Sequence, residues 1–435
     1  MSSFVSDANV LLWGRRIGAV SWVVERSVGV FQYDPEFVGA GIEISPIVLP
    51  VREEPYSFPA LNAETFKGLP GMVCDSLPDT FGNSIIDVWL AETGQPHENF
   101  NPVDRLCYVG KRGIGALEYS PTLRDEWQNE VEIAQLADTI DRVFDDRSSL
   151  DGRLFGKDDQ DVLESLMRVG TSAVGARAKA VLACNPATGR FRSGQINIPA
   201  GYEHWLLKFD GISSDRNNEW TVPQGHGRIE FAYYLMARQT GIEMSECRLH
   251  HEGDRSHFMT RRFDRDSDGR KIHMQSLGAL RHFDFNQPSS YAYEQVMQTI
   301  RELGLGMSAI EQQFRRTVFN IVGRNQDDHV KNIAFLMDQN GNWSLSPAYD
   351  GVYAYHPTAL WARDHQLSVG GKRDNFEMED LLNFAEFSGL KRSTARRIIA
   401  EIISVVSQWP QFAKEAGVDK KTIERIGQLH RTTLE

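Results

Sequence analysis

From residue 8 to about residue 60, apolar and polar residues alternate between Gly and Pro punctuation, in NVLLWGRRIGAVSW, VGVFQYDP and GIEISPIVLP. A period of two puts successive side chains on opposite faces of a pleated strand, so this stretch predicts short strands of an antiparallel sheet. The spacing turns helical in SLPDTFGNSIIDVWLAETG, where Ile85, Ile86, Val88, Trp89 and Leu90 supply an apolar stripe. VDRLCYVGKRGIGALEY reads as a helix passing into a strand, with Gly110, Gly113 and Gly115 at the turns. A polar, acidic stretch over about residues 124–162 reads as a surface helix and a linker. Strands return at AKAVLAC, HWLLKFD and HFMTRRFDR, and RIEFAYYLMARQTG between the last two reads as a helix that Gly241 stops. From about residue 288 the chain is mostly helical: YEQVMQTIRELG, AIEQQFRRTVFNIVG, MEDLLNFAEFSG and STARRIIAEIISVVSQW, the last with Ile398, Ile402 and Val405 at helical spacing. A strand-rich half followed by a helical half makes the expected fold class α+β.

The chain's 435 residues exceed what one hydrophobic core supports, so two or three packed units are expected. A net charge of -12 argues against a protein that coats nucleic acid, because phosphate neutralisation needs an excess of Lys and Arg. Cys74, Cys107, Cys184 and Cys247 are scattered without a C-x-x-C pair. They read as reduced core thiols of a cytosolic protein rather than a disulfide framework or a zinc site. MSSFVSDANVLLWGRR lacks the charged start and long apolar run of a secretory signal. No apolar stretch approaches the ~20 residues that cross a bilayer. The expectation is a cytoplasmic protein with no membrane partner.

The segment NQDDHVKNIAFLMDQNGNWSLSPAYD, residues 325–350, carries the most chemistry. Phosphoryl transfer from ATP asks for a carboxylate beside the acceptor hydroxyl, oxygen ligands for Mg²⁺, and cations at the phosphates. Asp327 and Asn332 stand at the D-x-x-x-x-N spacing by which protein kinases place a catalytic Asp and a metal-binding Asn. IAFLMD, QNGN and WSLSP read as a hairpin that delivers Asp350 where a kinase carries its second metal-binding carboxylate. Alone, Asp327, Asp328 and Asn332 would be the ordinary polarity of a turn; the hairpin and Asp350 together favour catalysis. His329 reads as a structural hydrogen-bonder, and Lys331 as a contact for the transferring phosphate.

Upstream, Lys208 in HWLLKFD shares a strand face with Leu206, which allows an inward-pointing amine, and Glu230 on the following helix is placed to orient it. A strand Lys is usually a solvated edge residue. Its position between a Gly-containing loop and the 325–350 segment favours a nucleotide role. That loop is VGTSAVGARAKA, residues 169–180, in which Gly170, Gly175 and small Ala residues let backbone N–H groups approach phosphate oxygens while Lys179 adds charge. It is not a P-loop, because Ala176 and Arg177 follow Gly175. MTRRFDRD, residues 259–266, reads either as the connection on which adenine rests, through backbone groups and Phe263, or as a hairpin edge with scattered charge.

In order, T-S-A-V-G-A-R-A-K, the Lys of LLKFD, RRFDR, N-x-x-D-D-H-x-K-N and P-A-Y-D resemble HipA-type serine/threonine kinase toxins of bacterial toxin–antitoxin modules. SLPDTFGNSIID, VGKRGIGALEY and HQLSVGGKRDNFEMEDLLNFAE extend the resemblance over nearly the whole chain. It implies an α+β, two-lobed, protein-kinase-like fold. A β-rich N-terminal subdomain would span residues 1–122, the remainder of the N-lobe 123–285, and an all-helical C-terminal lobe 286–435. Asp327 would be the catalytic base, Asn332 and Asp350 the Mg²⁺ ligands, and Lys208 the holder of the ATP phosphates. Val174, Gly175, Ala176, Arg177, Ala178 and Lys179 would form the phosphate-side loop, with His329 and Lys331 also at the nucleotide. Arg261, Arg262 and Phe263 would lie at the adenine, Arg261 standing where the family has Glu. Ser172 matches an inactivating autophosphorylation site, with Thr171 as the neighbouring alternative.

The implied partners are a small helix-turn-helix antitoxin of the HipB kind, operator DNA through that antitoxin only, and an aminoacyl-tRNA synthetase whose phosphorylation stalls translation. A small-molecule kinase of the aminoglycoside or choline type would share the D-x-x-x-x-N loop, but the whole-chain resemblance and Ser172 speak against it. A catalytically silent kinase-fold partner of a DNA-binding repressor is the other alternative, opposed by the intact Lys208, Asp327, Asn332 and Asp350.

Overall fold

The computed structural model describes residues 5–92, 100–123, 133, 136–137, 177–194, 198–213 and 224–434. These divide into two compact units, neither continuous in sequence. The first takes its residues from 1–224, 250–274 and 338–341, the second from 225–249, 275–337 and 342–435.

The first unit opens with an antiparallel sheet of β1 (Asp7–Leu12), β2 (Arg15–Val23), β3 (Val28–Tyr33) and β4 (Leu117–Ser120), in the order β3-β2-β1-β4. Along β1 the alternation expected from sequence is visible, with Ala8, Val10 and Leu12 buried and Asp7 and Asn9 exposed. Leu12 pairs with Arg15 across a two-residue turn in which Trp13 and Gly14 both have positive φ, the turn whose twist suits a hairpin. The strand expected in GIEISPIVLP is absent: residues 41–50 hold no strand. Pro46 and Pro50 lack the N–H groups that a ladder needs. The Leu49 carbonyl instead accepts the buried Tyr33 hydroxyl at 2.7 Å.

A five-stranded sheet follows, built from β5 (Arg177–Cys184), β6 (Phe191–Ser193), β7 (Glu203–Ser213), β8 (Cys247–Glu252) and β9 (Arg255–Arg261), in the order β6-β5-β7-β9-β8. The helix Thr80–Glu92 lays Phe81, Ile85, Ile86 and Leu90 into one core with Leu182, Trp205, Leu207 and Met259. Each large apolar side chain buried this way contributes about 1.5–3 kcal/mol. Beside β9, the Asp264 carboxylate accepts from Arg262 Nε (2.8 Å) and Nη2 (2.6 Å), Arg265 Nη1 (2.9 Å) and the Gly115 N–H (2.8 Å), all buried. Burial opposes ionisation here, but the two guanidiniums hold this carboxyl well below the usual carboxylate range. The knot ties the turn before β4 to the chain leaving β9.

The second unit is helical. Arg392–Val406 buries Ala395, Ile398, Ile399, Ile402 and Val405, a stripe at helical spacing that packs against the helix Met307–Val322. The helix His226–Gln239 ends at Thr240 and Gly241, whose φ of +72° is the left-handed stop expected of it. Short strands also occur: β10 (His273–Ser276), β11 (Tyr291–Ala292), β12 (Ala334–Met337), β13 (Trp343–Leu345) and β14 (Leu367–Ser368). β12 and β13 form the hairpin expected after Asn332, and β11 pairs in parallel with β14.

What fixes the 325–333 loop is a buried charge. Met307–Val322 closes at Gly323, Arg324 turns left-handed at φ +56°, and the Asn325 N–H donates to the Asn320 carbonyl at 2.9 Å. Three residues on, the Asp328 carboxylate is sealed from water. Its Oδ1 accepts the Gln366 N–H (2.7 Å), and its Oδ2 accepts the Tyr293 hydroxyl (2.7 Å) and His365 Nδ1–H (2.8 Å). Burial pushes its pKa up, but the adjacent His365 ring and these donors bring it below the usual value. A lowered folded pKa means stability present above the unfolded value of about 4 and lost as pH falls through the folded one.

Asp328→Ala would leave three buried donors facing no acceptor. We expect a loss of about 3–5 kcal/mol at pH 7, read as a lower urea midpoint in circular dichroism. The gap between variant and wild type should close only below about pH 4, where the wild-type carboxylate takes up its proton. A variant as stable as wild type at pH 7 would contradict this anchoring role.

Candidate active site

Asp327 and Asp328 are chemically identical neighbours with opposite environments. The Asp327 side chain is 53% exposed, whereas that of Asp328 is 1% exposed. Asn332 folds back on this pair: its Nδ2 donates to the Asp327 carbonyl at 2.8 Å, and its backbone N–H to the His329 carbonyl at 2.9 Å. With the amide nitrogen engaged, Asn332 Oδ1 is the atom left for a ligand. His329 Nδ1 accepts the Lys331 N–H at 3.3 Å, so the ring proton sits on Nε2, 3.6 Å from Asp327 Oδ1. The Lys331 ammonium lies 4.7 Å from the Phe285 ring centroid, and its carbonyl accepts the Tyr349 hydroxyl at 2.6 Å.

That last bond couples the loop to the end of the hairpin, where Asp350 follows Tyr349. Asp350 has φ +52°, a left-handed conformation that a non-glycine residue keeps only when its surroundings over-determine it, as they often do at functional sites. Asn332, Tyr349 and Gly351 line one cavity together with Asp328 and Tyr293. The loop ligand candidate and the residues flanking Asp350 thus converge within the second unit.

Among the described residues, no three His, Cys, Asp or Glu side chains gather into a metal cage. A sparse, hard donor set of one amide oxygen and one carboxylate fits Mg²⁺. That ion keeps several waters and completes its shell with phosphate oxygens, whereas Zn²⁺ and Ca²⁺ sites are built from more protein ligands.

In the first unit, Lys179 and Lys208 stand directly opposite each other on β5 and β7, both buried. Like charges so placed repel. The Asp79 carboxylate, 3.2 Å from Lys179 Nζ, offsets one of them. Asp79 lies in SLPDTFGN, where sequence reasoning saw only a helix start. Lys208 Nζ is 5.7 Å from the Phe258 ring centroid. Arg177 and Ala178 open β5, and Ala178 lies in the core. Arg262 turns inward to Asp264, while Arg261 is half-exposed with Glu203 at 3.4 Å. The Arg262 guanidinium is therefore engaged in the knot through Nε and Nη2. Glu230 is buried in the helix His226–Gln239 of the second unit. Thr171, Ser172, Val174, Gly175 and Ala176 lie outside the described residues, as does most of the acidic stretch at 124–162.

Family models match in two places: the HipA N-terminal domain over residues 8–120 and the HipA-like C-terminal domain over residues 171–409. A solved Shewanella oneidensis MR-1 toxin–antitoxin complex of HipA, HipB and operator DNA is similar along 98% of this chain and 95% of the matched chain. Its TM-score is 0.64 at 15% identity. A Haemophilus influenzae protein named "Putative kinase" is 24% identical over 234 residues, which is 47% of this chain and 68% of that protein. The overlay establishes an α+β, kinase-like fold, and with both domain models in family order the chain belongs to the HipA family.

Proposed function

We propose that this HipA-family protein is an ATP- and Mg²⁺-dependent serine/threonine kinase acting as the toxin of a toxin–antitoxin module. The observation that carries the reading is the divided pair of carboxylates: Asp328 buried as an anchor, Asp327 exposed beside it, with the Asn332 amide pinned to the same loop. In the reaction, an acceptor hydroxyl oxygen attacks the γ-phosphorus while its proton passes to the Asp327 carboxylate. The bond to the β-phosphate oxygen breaks, and ADP leaves. Asn332 and Asp350 would hold the metal, which supplies charge neutralisation at the β- and γ-phosphates. Lys208 would meet the phosphates, oriented by Glu230. The segment from Val174 to Lys179 would cover them, and Arg261 to Phe263 would border the adenine. Lys331, with His329 beside it, adds positive charge close to Asp327.

The regulatory and partner assignments belong to the same proposal. Ser172, or Thr171 next to it, takes up an inactivating phosphate, and an aminoacyl-tRNA synthetase is the target class. A helix-turn-helix antitoxin neutralises the protein and supplies its hold on operator DNA. The Shewanella HipA was solved with HipB and operator DNA, and this chain's net charge of -12 suits it poorly to grip DNA alone. A cytoplasmic location accords with this reading; among the described residues no helix is long and apolar enough to cross a membrane.

Asp327→Asn should slow phosphate transfer from γ-labelled ATP by about 10²–10⁴-fold, with folding and nucleotide binding intact. Wild-type transfer by that variant would remove Asp327 from the mechanism. Intact mass after incubation with ATP and Mg²⁺ should show one added phosphate on the wild type, absent in Ser172→Ala and in Asp327→Asn. About -1.5 to -2 added charges beside the phosphate site should leave the modified protein inactive; a modified protein with full activity would refute the regulation. In gel shifts, the isolated chain should not retard operator DNA, and adding the helix-turn-helix partner should produce a shifted ternary band. Tight, sequence-specific binding by the chain alone would contradict the division of labour.

A further inference from the structure

The buried anchor of the catalytic loop continues into a chain of side chains that ends well beyond the sequence motifs. His365 donates from Nδ1 to Asp328, and its Nε2 lies 2.9 Å from Arg431 Nη1. A guanidinium can only donate. His365 Nε2 must therefore carry the lone pair, and the ring's one proton sits on Nδ1, aimed at Asp328. A second ring proton would point straight into the guanidinium.

Arg431 is itself held on several sides. Nη1 also donates to the Ile321 carbonyl at 3.1 Å, Nη2 donates to Asp374, and the backbone N–H donates to the Val322 carbonyl at 2.9 Å. Ile321 and Val322 form the end of the helix Met307–Val322, whose last carbonyls have no partner within the helix and favour a cation. Asp374 also faces Arg324 Nη1 at 3.7 Å, and Arg324 Nε donates to the Leu429 carbonyl at 2.9 Å. Arg324 is the left-handed residue at which the loop leaves the helix. Arg431 therefore grips the loop at two points: at the helix terminus where it departs, and through His365 at Asp328 in its middle, next to Asp327.

An arginine serving only to cap a helix would be accounted for by the carbonyl bonds. The contact with His365 Nε2 is of another kind, because it selects one tautomer of a fully buried ring whose other nitrogen grips the loop. We propose that Arg431 is a positioning residue for phosphoryl transfer, setting the His365 tautomer and through Asp328 the aim of the Asp327 carboxylate. The inference rests on the kinase reading above.

The test compares wild type, Arg431→Ala and Arg431→Lys as full chains. It measures kcat, the KM for ATP, thermal melting, and hydrogen exchange in a peptide covering residues 326–333. Displacing a reacting group by about an ångström costs on the order of 10²-fold, so kcat of Arg431→Ala should fall about 10–100-fold while the KM for ATP stays within about twofold. Exchange at 326–333 should quicken more than in the helix Arg392–Val406. Arg431→Lys keeps a cation for the carbonyls and Asp374 but lacks the fork that reaches His365 at the same time. It should melt close to wild type and still lose kcat, which separates positioning from bulk stability should the Ala variant unfold. A folded variant with wild-type kcat and unchanged exchange overturns the proposal, as does a kcat deficit confined to variants that have lost global structure. A wild type that transfers no phosphate would sink the kinase reading instead. The exchange data would then decide the positioning role alone, unchanged rates at 326–333 overturning it.

Discussion

A carboxylate removed from water keeps its charge only where donors meet its lone pairs, and the arrangement of the helical unit follows from meeting that demand at Asp328. The donors come from two stretches of chain far apart in sequence. Tyr293 opens the helix Tyr293–Glu302, while His365 and Gln366 immediately precede β14. Tyr293 is fixed in turn by Asn320 Nδ2 at 3.0 Å, from the helix that leads into the loop. A loop of eleven residues, 323–333, between a helix and a strand would ordinarily sample many conformations. This one is tied at its centre, and the cost of ordering it is met by hydrogen bonds to a charged group, each worth about 1.5–3 kcal/mol.

The chemistry of the exposed half follows from that tie. Because Asp328 points inward, its neighbour is turned to solvent, where a carboxylate can receive a proton from an incoming hydroxyl. Asn332 returns to bond the Asp327 carbonyl, so the metal-ligand candidate and the base candidate are held by one another's backbone and side chain rather than by separate supports. Tyr349 carries the constraint to Asp350, whose left-handed backbone is tolerated between the Tyr349–Lys331 bond on one side and Gly351 on the other.

Sequence made legible what depends on local periodicity and spacing. The alternation in β1, the stripe of Arg392–Val406, the stop at Gly241 and the hairpin between Asn332 and Asp350 all follow from nearest-neighbour patterns. The ten-residue stretch GIEISPIVLP misled because its apolar spacing mimics a strand while its prolines remove the donors of one. Two adjacent aspartates cannot be told apart by residue type. Which is anchor and which is reactive depends on Tyr293, His365 and Gln366, brought in from elsewhere in the chain. Asp79 and Arg431 escaped for the same reason: each acts through a contact in space that leaves no spacing behind. HQLSVGG, which contains His365, stood out in the sequence for its resemblance, but its role became physical only once Asp328 was seen beneath it.

Asp264 and Asp328, both buried, meet the same electrostatic problem in different ways, and the difference tracks what each unit is for. Asp264 is neutralised by two guanidiniums, and charge–charge attraction falls off slowly with distance and weakly with angle. The Arg262 fork and the Gly115 N–H add direction to that attraction, and the knot suits a junction between sheets. Asp328 accepts from a phenol, an imidazole and a backbone amide, whose hydrogen bonds weaken steeply as they bend. A group held by directional bonds is held in orientation as well as position. On the proposed reading Asp327, one peptide bond away, presents a lone pair to the acceptor's proton, which asks for a fixed aim. Beneath such a residue, directional donors fix the aim that a pair of cations would leave loose.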